Sequence, residues 1–155
     1  MEKLVANDML ESFKRFLEER HLRMTEERRK IFEQICTFPK HFDVNMLSDK
    51  MTEINYHVSV TTLYNLLELL VKGGLIVRHQ WTTQMVDYEL IQLAQTHYHM
   101  VCLRCGAVRE IRNEAVKLAV ANMKVTRFTP LFANLYIYGI CTKCKNKMKK
   151  ENMIR

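Results

Sequence analysis

Residues 59–90, "SVTTLYNLLELLVKGGLIVRHQWTTQMVDYEL", pass from helical to extended periodicity, and that change decides how the first half of the chain folds. Ser59 suits a helix N-cap, and Val60, Leu63, Leu67, Leu70 and Val71 follow it at helical spacing. Gly73-Gly74 ends the helix, since glycine readily takes the left-handed conformation that closes a helix. Beyond it, "LIVRHQ" (75–80) and "MVDYEL" (85–90) read as two strands, and "WTTQ" (81–84) is short enough to join them as a hairpin.

Working back toward the N-terminus, three more helices precede this one. Met9, Leu10, Phe13, Phe16 and Leu17 form the apolar stripe of the first, which breaks at "RHLRM" (20–24). Thr25 caps the second, with Glu26 and Glu27 at its positive end and Ile31, Phe32, Ile35 and Cys36 facing inward. Pro39 disfavours helical geometry at Phe38 and stops it. Asp43 caps a third helix carrying Met46, Leu47, Met51 and Ile54. Helices followed by a hairpin are the order of a winged helix–turn–helix, in which the helix before the hairpin enters the DNA major groove. Its polar face would be Ser59, Thr61, Thr62, Tyr64 and Asn65. A helical domain whose hairpin binds another protein is the alternative.

From about residue 97 the character changes. "HMVCL" (99–103) and "AVREI" (107–111) are strand-like, "NEAVKLAVANM" (113–123) is helical, and "LFANLYIYGIC" (131–141) reads as a long strand. The expected architecture is α+β: a winged helix–turn–helix domain over 1–92 and a small mixed α/β domain over 93–155. A domain that small needs a staple, a partner, or both.

The cysteines supply a staple. Cys102-Leu-Arg-Cys105 and Cys141-Thr-Lys-Cys144 are two Cys-x-x-Cys turns, with Gly106 relieving the backbone after the first. Together they offer four thiolates for a closed, tetrahedral structural Zn²⁺ site. Thioredoxin-type redox chemistry would place such a pair at the start of a helix in a βαβ unit, whereas the first pair lies between two strands. A zinc deaminase would need a preceding proline and a His-x-Glu, and neither occurs. Cys36 belongs to neither pair and reads as a core residue.

His97 and His99 are then left over, directed to one face by strand alternation, and Glu110 on the next strand can face them across a hairpin. Two imidazoles and a carboxylate suit a second, exchangeable metal; a polar surface hairpin is the bland alternative. A zinc metallohydrolase using the same three residues would need an open site with an activated water. No hydrolase motif accompanies them.

No apolar run is long enough to span a bilayer, and "MEKLVANDMLESFKRFLEER" (1–20) is too often interrupted by charge to be a secretory signal. The expected location is the cytoplasm, where paired cysteines bind metal or do redox chemistry in preference to forming disulfides. The net charge of +7 points to an anionic partner such as nucleic acid. Four thiolates on one Zn²⁺ change it by −4 + 2 = −2, leaving about +5, a weaker argument for DNA.

"RMTEERRKIFE" (23–33), "HVSVTTLYNLLELLVKGGLI" (57–76), "VDYEL" (86–90) and "HYHMVCLRCG…YIYGICTKC" together resemble the ferric uptake regulator family, from about His21 to Cys144. The resemblance implies a homodimeric, metal-dependent transcriptional repressor that binds a double-stranded DNA operator, is not an enzyme and has no membrane role. It implies structural zinc on Cys102, Cys105, Cys141 and Cys144. It implies a regulatory Fe²⁺ or another divalent metal on His41, Glu89, His97, His99 and Glu110, a site that draws on both domains. Glutamates at 89 and 110 resemble the iron-sensing branch more than the peroxide sensors; a zinc, manganese or haem sensor is the alternative. A further metal site of some members would fall on Thr96, Tyr98, Lys117 and Ala133, none a good ligand. Two departures bear on DNA. Asn65 stands where the family has arginine, and Glu18 and Glu19 stand where lysines are common, with Arg15, Arg20 and Arg23 nearby to compensate.

Overall fold

The computed structural model describes residues 2–130 and 132–153, with side chains placed for 7–130 and 132–151. The chain divides into two compact units, one ending at Ile91 and the other starting at Gln92.

The first unit runs α1 (Glu2–Glu18), α2 (Glu26–Ile35), α3 (Val44–Glu53), α4 (Val60–Lys72), β1 (Ile76–Gln80) and β2 (Val86–Leu90). Each helix after the first starts at the cap read from the sequence. Thr25, Asp43 and Ser59 side chains accept the backbone N–H of Arg28, Met46 and Thr62. Three of the helices also close alike. Leu22 N–H reaches Leu17 O, Tyr56 N–H reaches Met51 O and Leu75 N–H reaches Leu70 O, each with a shorter bond nested inside. The left-handed residue of each closure is His21 (φ 55°), Asn55 (φ 53°) and Gly74 (φ 65°).

The core gathers Phe13 and Leu17 from α1, Ile31, Phe32 and Ile35 from α2, Leu47 and Met51 from α3, and Leu63, Leu67 and Leu70 from α4. Of the expected core residues, Leu10, Cys36 and Val71 are only half-buried, and three more are exposed. Met46 is 45% exposed, Ile54 43% and Val60 48%. Ile54 is the C-cap of α3 and Val60 the first residue of α4, so both stand at helix ends. Leu66 completes the α4 stripe instead.

β1 and β2 form the expected antiparallel hairpin, Ile76 opposite Leu90 and Gln80 opposite Val86. On the other edge of β2, Phe42 and Tyr88 exchange both backbone hydrogen bonds (2.9 and 2.7 Å). The segment that Pro39 frees from helix thereby becomes a third, one-residue edge of the wing.

The single turn α5 (Ile91–Ala94) leads to β3 (Tyr98–Cys102), β4 (Val108–Ile111), α6 (Glu114–Ala121), β5 (Tyr136–Gly139) and α7 (Thr142–Met153). The sheet order is β4-β3-β5, β4 antiparallel and β5 parallel to β3. The long strand expected over 131–141 is much shorter. Its pairing with β3 begins only where Leu135 O accepts His99 N–H, so the preceding residues have no strand to bond to; Leu131 lies outside the described residues. The lysine-rich α7 was not legible, because it has almost no apolar periodicity. This unit buries few side chains. No residue of α6 is buried, and Leu118, Phe128, Ile137 and Tyr138 are exposed.

Candidate metal centres

Cys102 ends β3, and the chain turns back at once: Gly106 N–H bonds Cys102 O and Cys102 N–H bonds Ala107 O, both at 2.9 Å. Gly106 takes φ 70°, which the turn requires and most side chains would resist. Cys141 follows β5 and Cys144 lies in the first turn of α7, so the short parallel strand carries the second pair to the first. The four sulfurs lie within 4.8 Å of one another. Bonds of about 2.3 Å in a tetrahedron set sulfurs roughly 3.8 Å apart, and Cys105 and Cys141 Sγ stand at 3.8 Å. The set fits Zn²⁺.

The thiols are electrostatically unequal. Backbone N–H groups, Cys141 first, lower Cys102 to about 6; the Cys141 N–H lies 3.3 Å from its sulfur. Burial, then hydrogen bonds among the cysteines, pushes Cys144 up to about 12. Arg104, Arg109, Lys143, Lys147 and Lys150 line a groove of about 680 Å³ beside the cluster. A zinc tetrathiolate carries −2, so cations there favour the charged cluster. Cys36 stands apart as the C-cap of α2, half-buried and not in the core expected for it, its thiol raised to about 11 by burial and then Glu33.

In the first unit, Phe42 opposite Tyr88 places His41 opposite Glu89 on the same side of the wing. His41 Nε2 stands 3.3 Å from Glu89 Oε2, and the carboxylate is 1% exposed. A second imidazole, not singled out from the sequence, stands on the other side. His79 Nε2 is 3.2 Å from the same oxygen, and His79 is fully buried. The His79 ring stacks on Trp81 with centroids 4.7 Å apart and planes within 2°. Trp81 Nε1–H in turn donates to Asp87 Oδ2 at 2.6 Å. Alternation would have revealed this: His79 and Trp81 share a face with Asp87 and Glu89 across the hairpin.

In the second unit His97 and His99 are buried, with ring centroids 4.7 Å apart. Thr96 Oγ1 donates to Leu93 O at 2.7 Å and lies 3.1 Å from His97 Nδ1. A hydroxyl has one proton to give, so with respect to His97 it accepts, which puts the ring proton on Nδ1 and the lone pair on Nε2. Thr96 thus sets the tautomer of His97. Glu110 pairs with His99 across β3–β4, and Tyr136 stands beside His99 on β5. The Glu110 side chain is exposed, and the sheet register alone brings it near.

On α4, Thr61, Tyr64 and Asn65 are exposed. Ser59 and Thr62 are engaged with each other (Oγ to Oγ1, 2.9 Å) in capping the helix. Glu18 and Glu19 are exposed, as are Arg15 and Arg23, while the Arg20 guanidinium lies 4.0 Å over the Phe16 ring.

The ferric uptake regulator family profile matches residues 19–138. The chain is 30% identical over 141 residues to the ferric uptake regulation protein of Neisseria gonorrhoeae, covering 86% of this chain and 94% of that one. It is similar to the crystal structure of the Vibrio cholerae ferric uptake regulator at 26% identity and a TM-score of 0.58, covering 83% of this chain and 98% of that one. It shares its fold with the Pseudomonas aeruginosa ferric uptake regulator solved with manganese, at 23% identity and a TM-score of 0.66 over 81% and 95% of the chains. The chain belongs to the ferric uptake regulator family of metal-responsive transcriptional regulators.

Proposed function

We propose that the chain is a homodimeric, cytoplasmic repressor of metal-homeostasis genes that binds its operator when loaded with Fe²⁺. Cys102, Cys105, Cys141 and Cys144 hold a structural Zn²⁺, which is closed to substrate and supplies cross-linking, not catalysis. His41 and Glu89 of the winged-helix unit and His97, His99 and Glu110 of the second unit are the regulatory ligands. The observation that carries this reading is the pairing of His41 with the buried Glu89 carboxylate, set beside the wing at 3.3 Å by a backbone bridge. A buried carboxylate held between imidazoles has no packing value of its own, but it is costly enough to desolvate that it points to a ligand role.

The chemistry of the donors supports Fe²⁺ or Mn²⁺, since imidazole and carboxylate suit both. A ligand set divided between two units binds one relative arrangement of them better than others, and only such a difference shifts a population. In a symmetric dimer that arrangement governs the spacing of the two α4 helices, and with it the match to operator half-sites. Thr61, Tyr64 and Asn65 are the side chains available to bases or phosphates, Ser59 and Thr62 supporting them from the cap.

The test is a pair of measurements on purified protein: metal content, and DNA binding at controlled Fe²⁺ or Mn²⁺. The His97→Ala/His99→Ala double variant should keep one zinc per chain and the dimer while losing metal-dependent DNA binding. A double variant that still responds normally to added Fe²⁺ or Mn²⁺ places the sensor elsewhere.

A further inference from the structure

We infer that His79 is a positioning residue for the regulatory metal site: its Nε2–H holds the Glu89 carboxylate in the orientation from which it ligates. This inference rests on the function proposed above and concerns a residue outside the five ligands.

Glu89 sits on β2, the middle line of the wing, with His41 delivered from one side and His79 from the other. Both Nε2 atoms approach one oxygen, Oε2, at 3.3 and 3.2 Å. A carboxylate only accepts hydrogen bonds, so a nitrogen bonded to it must carry the proton. The two imidazoles differ in what surrounds them. The His41 side chain retains 15% exposure, whereas His79 retains none. The His79 ring is also fixed in plane by Trp81, whose indole is anchored on Asp87. A metal ligand gives its lone pair to the ion and cannot donate a proton from the same nitrogen. His41 is therefore the imidazole that can turn from donor to ligand, while His79 stays as the donor that fixes Oε2. Outer partners of this kind orient ligands whose own side chains would otherwise rotate, and their loss typically costs about 10–100-fold in metal affinity.

The experiment uses full-length, zinc-loaded protein and Mn²⁺ alone as the probe, because a hard ion leaves the thiolate site undisturbed. Free Mn²⁺ is followed by its electron paramagnetic resonance during titration of wild type, His79→Ala and His79→Gln. Zinc content and thermal unfolding check that each variant is folded. The expected result is a loss of about 10–100-fold in Mn²⁺ affinity for His79→Ala. His79→Gln, whose amide N–H can replace the imidazole donor, should recover to within roughly threefold of wild type. Wild-type affinity in a folded His79→Ala overturns the inference. So does a folded His79→Gln as weak as the alanine variant, the result required if His79 were itself a ligand. Failure of the wild type to bind Mn²⁺ overturns the proposed function, and this inference with it.

Discussion

At the scale of single residues, the two metal centres draw on different physics. The cysteines rely on geometry that a turn can supply locally: two knuckles, a left-handed Gly106 and a short strand. Structural zinc contributes about 10–16 kcal/mol in small zinc-dependent folds, far more than a sparsely buried unit gains from packing. Cys102→Ser is expected to unfold the second unit or abolish dimerisation, read by zinc content and sedimentation. A variant that stays dimeric and zinc-loaded refutes the assignment. The proposed regulatory residues rely on orientation. Thr96 and His79 each use a hydrogen bond to aim a neighbour. On the proposed DNA face, exposed Asn65 stands in place of a guanidinium, and each phosphate left unneutralised lowers the salt slope by about 0.9. Binding to a standard family operator should therefore be weak and less salt-sensitive, and Asn65→Arg should strengthen it. An operator rich in adenine at that step is the alternative target, since asparagine pairs well with adenine. Titration of both proteins against both sites over several salt concentrations decides; tight wild-type binding to the standard operator, unchanged by arginine, defeats the prediction.

At the scale of elements, the winged-helix unit is defined by its helix ends. Caps at Thr25, Asp43 and Ser59 start helices, and left-handed residues at 21, 55 and 74 close them. Only one of those three closures uses glycine. A Cβ added at Gly74 would meet nothing within 4 Å, so Gly74→Ala isolates the backbone cost. It should destabilise by about 1–2 kcal/mol. His21→Gly should act in the opposite direction, gaining about 0.5–1 kcal/mol, because relief of the strained backbone is partly offset by a floppier unfolded chain. Chemical denaturation of the two variants checks both signs. A neutral Gly74→Ala would mean that α4 can close without its left-handed residue.

At the scale of the whole molecule, the two units are unequal in how well they bury themselves. The first has a continuous core drawn from four helices, while the second leaves Leu118, Phe128, Ile137 and Tyr138 exposed. An apolar surface of that kind on a small unit calls for a covering partner. A second copy of the same chain is the partner expected in this family. Leu118→Lys combined with Ile137→Lys should turn dimers into monomers at micromolar concentration while leaving zinc in place, measured by sedimentation and metal analysis. With the proposed operator binding through paired half-sites, the same variant should lose DNA affinity by far more than its small change in charge explains. If it remains a dimer, the interface lies elsewhere on the unit.

What the sequence by itself determined was whatever depends on neighbours in the chain. The caps, the helix stops, the Gly74 closure, the hairpin and the paired cysteine knuckles all follow from local sterics and hydrogen bonding, and they sufficed for the α+β winged-helix architecture. His97 and His99 were legible for the same reason, being two residues apart on a strand. Tertiary structure decided what depends on distant pairing. The reach of β5 was set by where β3 could accept it, leaving four residues of strand from a much longer apolar run. The exposure of Met46, Ile54 and Val60 was decided by tertiary packing, since helical spacing alone sets them on the apolar stripe. The surroundings of Glu89 belong here too. His79 lies ten positions away in sequence, and the β1–β2 register carries its imidazole to the carboxylate. His41 reaches the same oxygen only because Phe42 bridges to Tyr88. Helical and strand periodicity are short-ranged and can be read along the chain, whereas a buried charge is placed by registers that form only when separate segments meet.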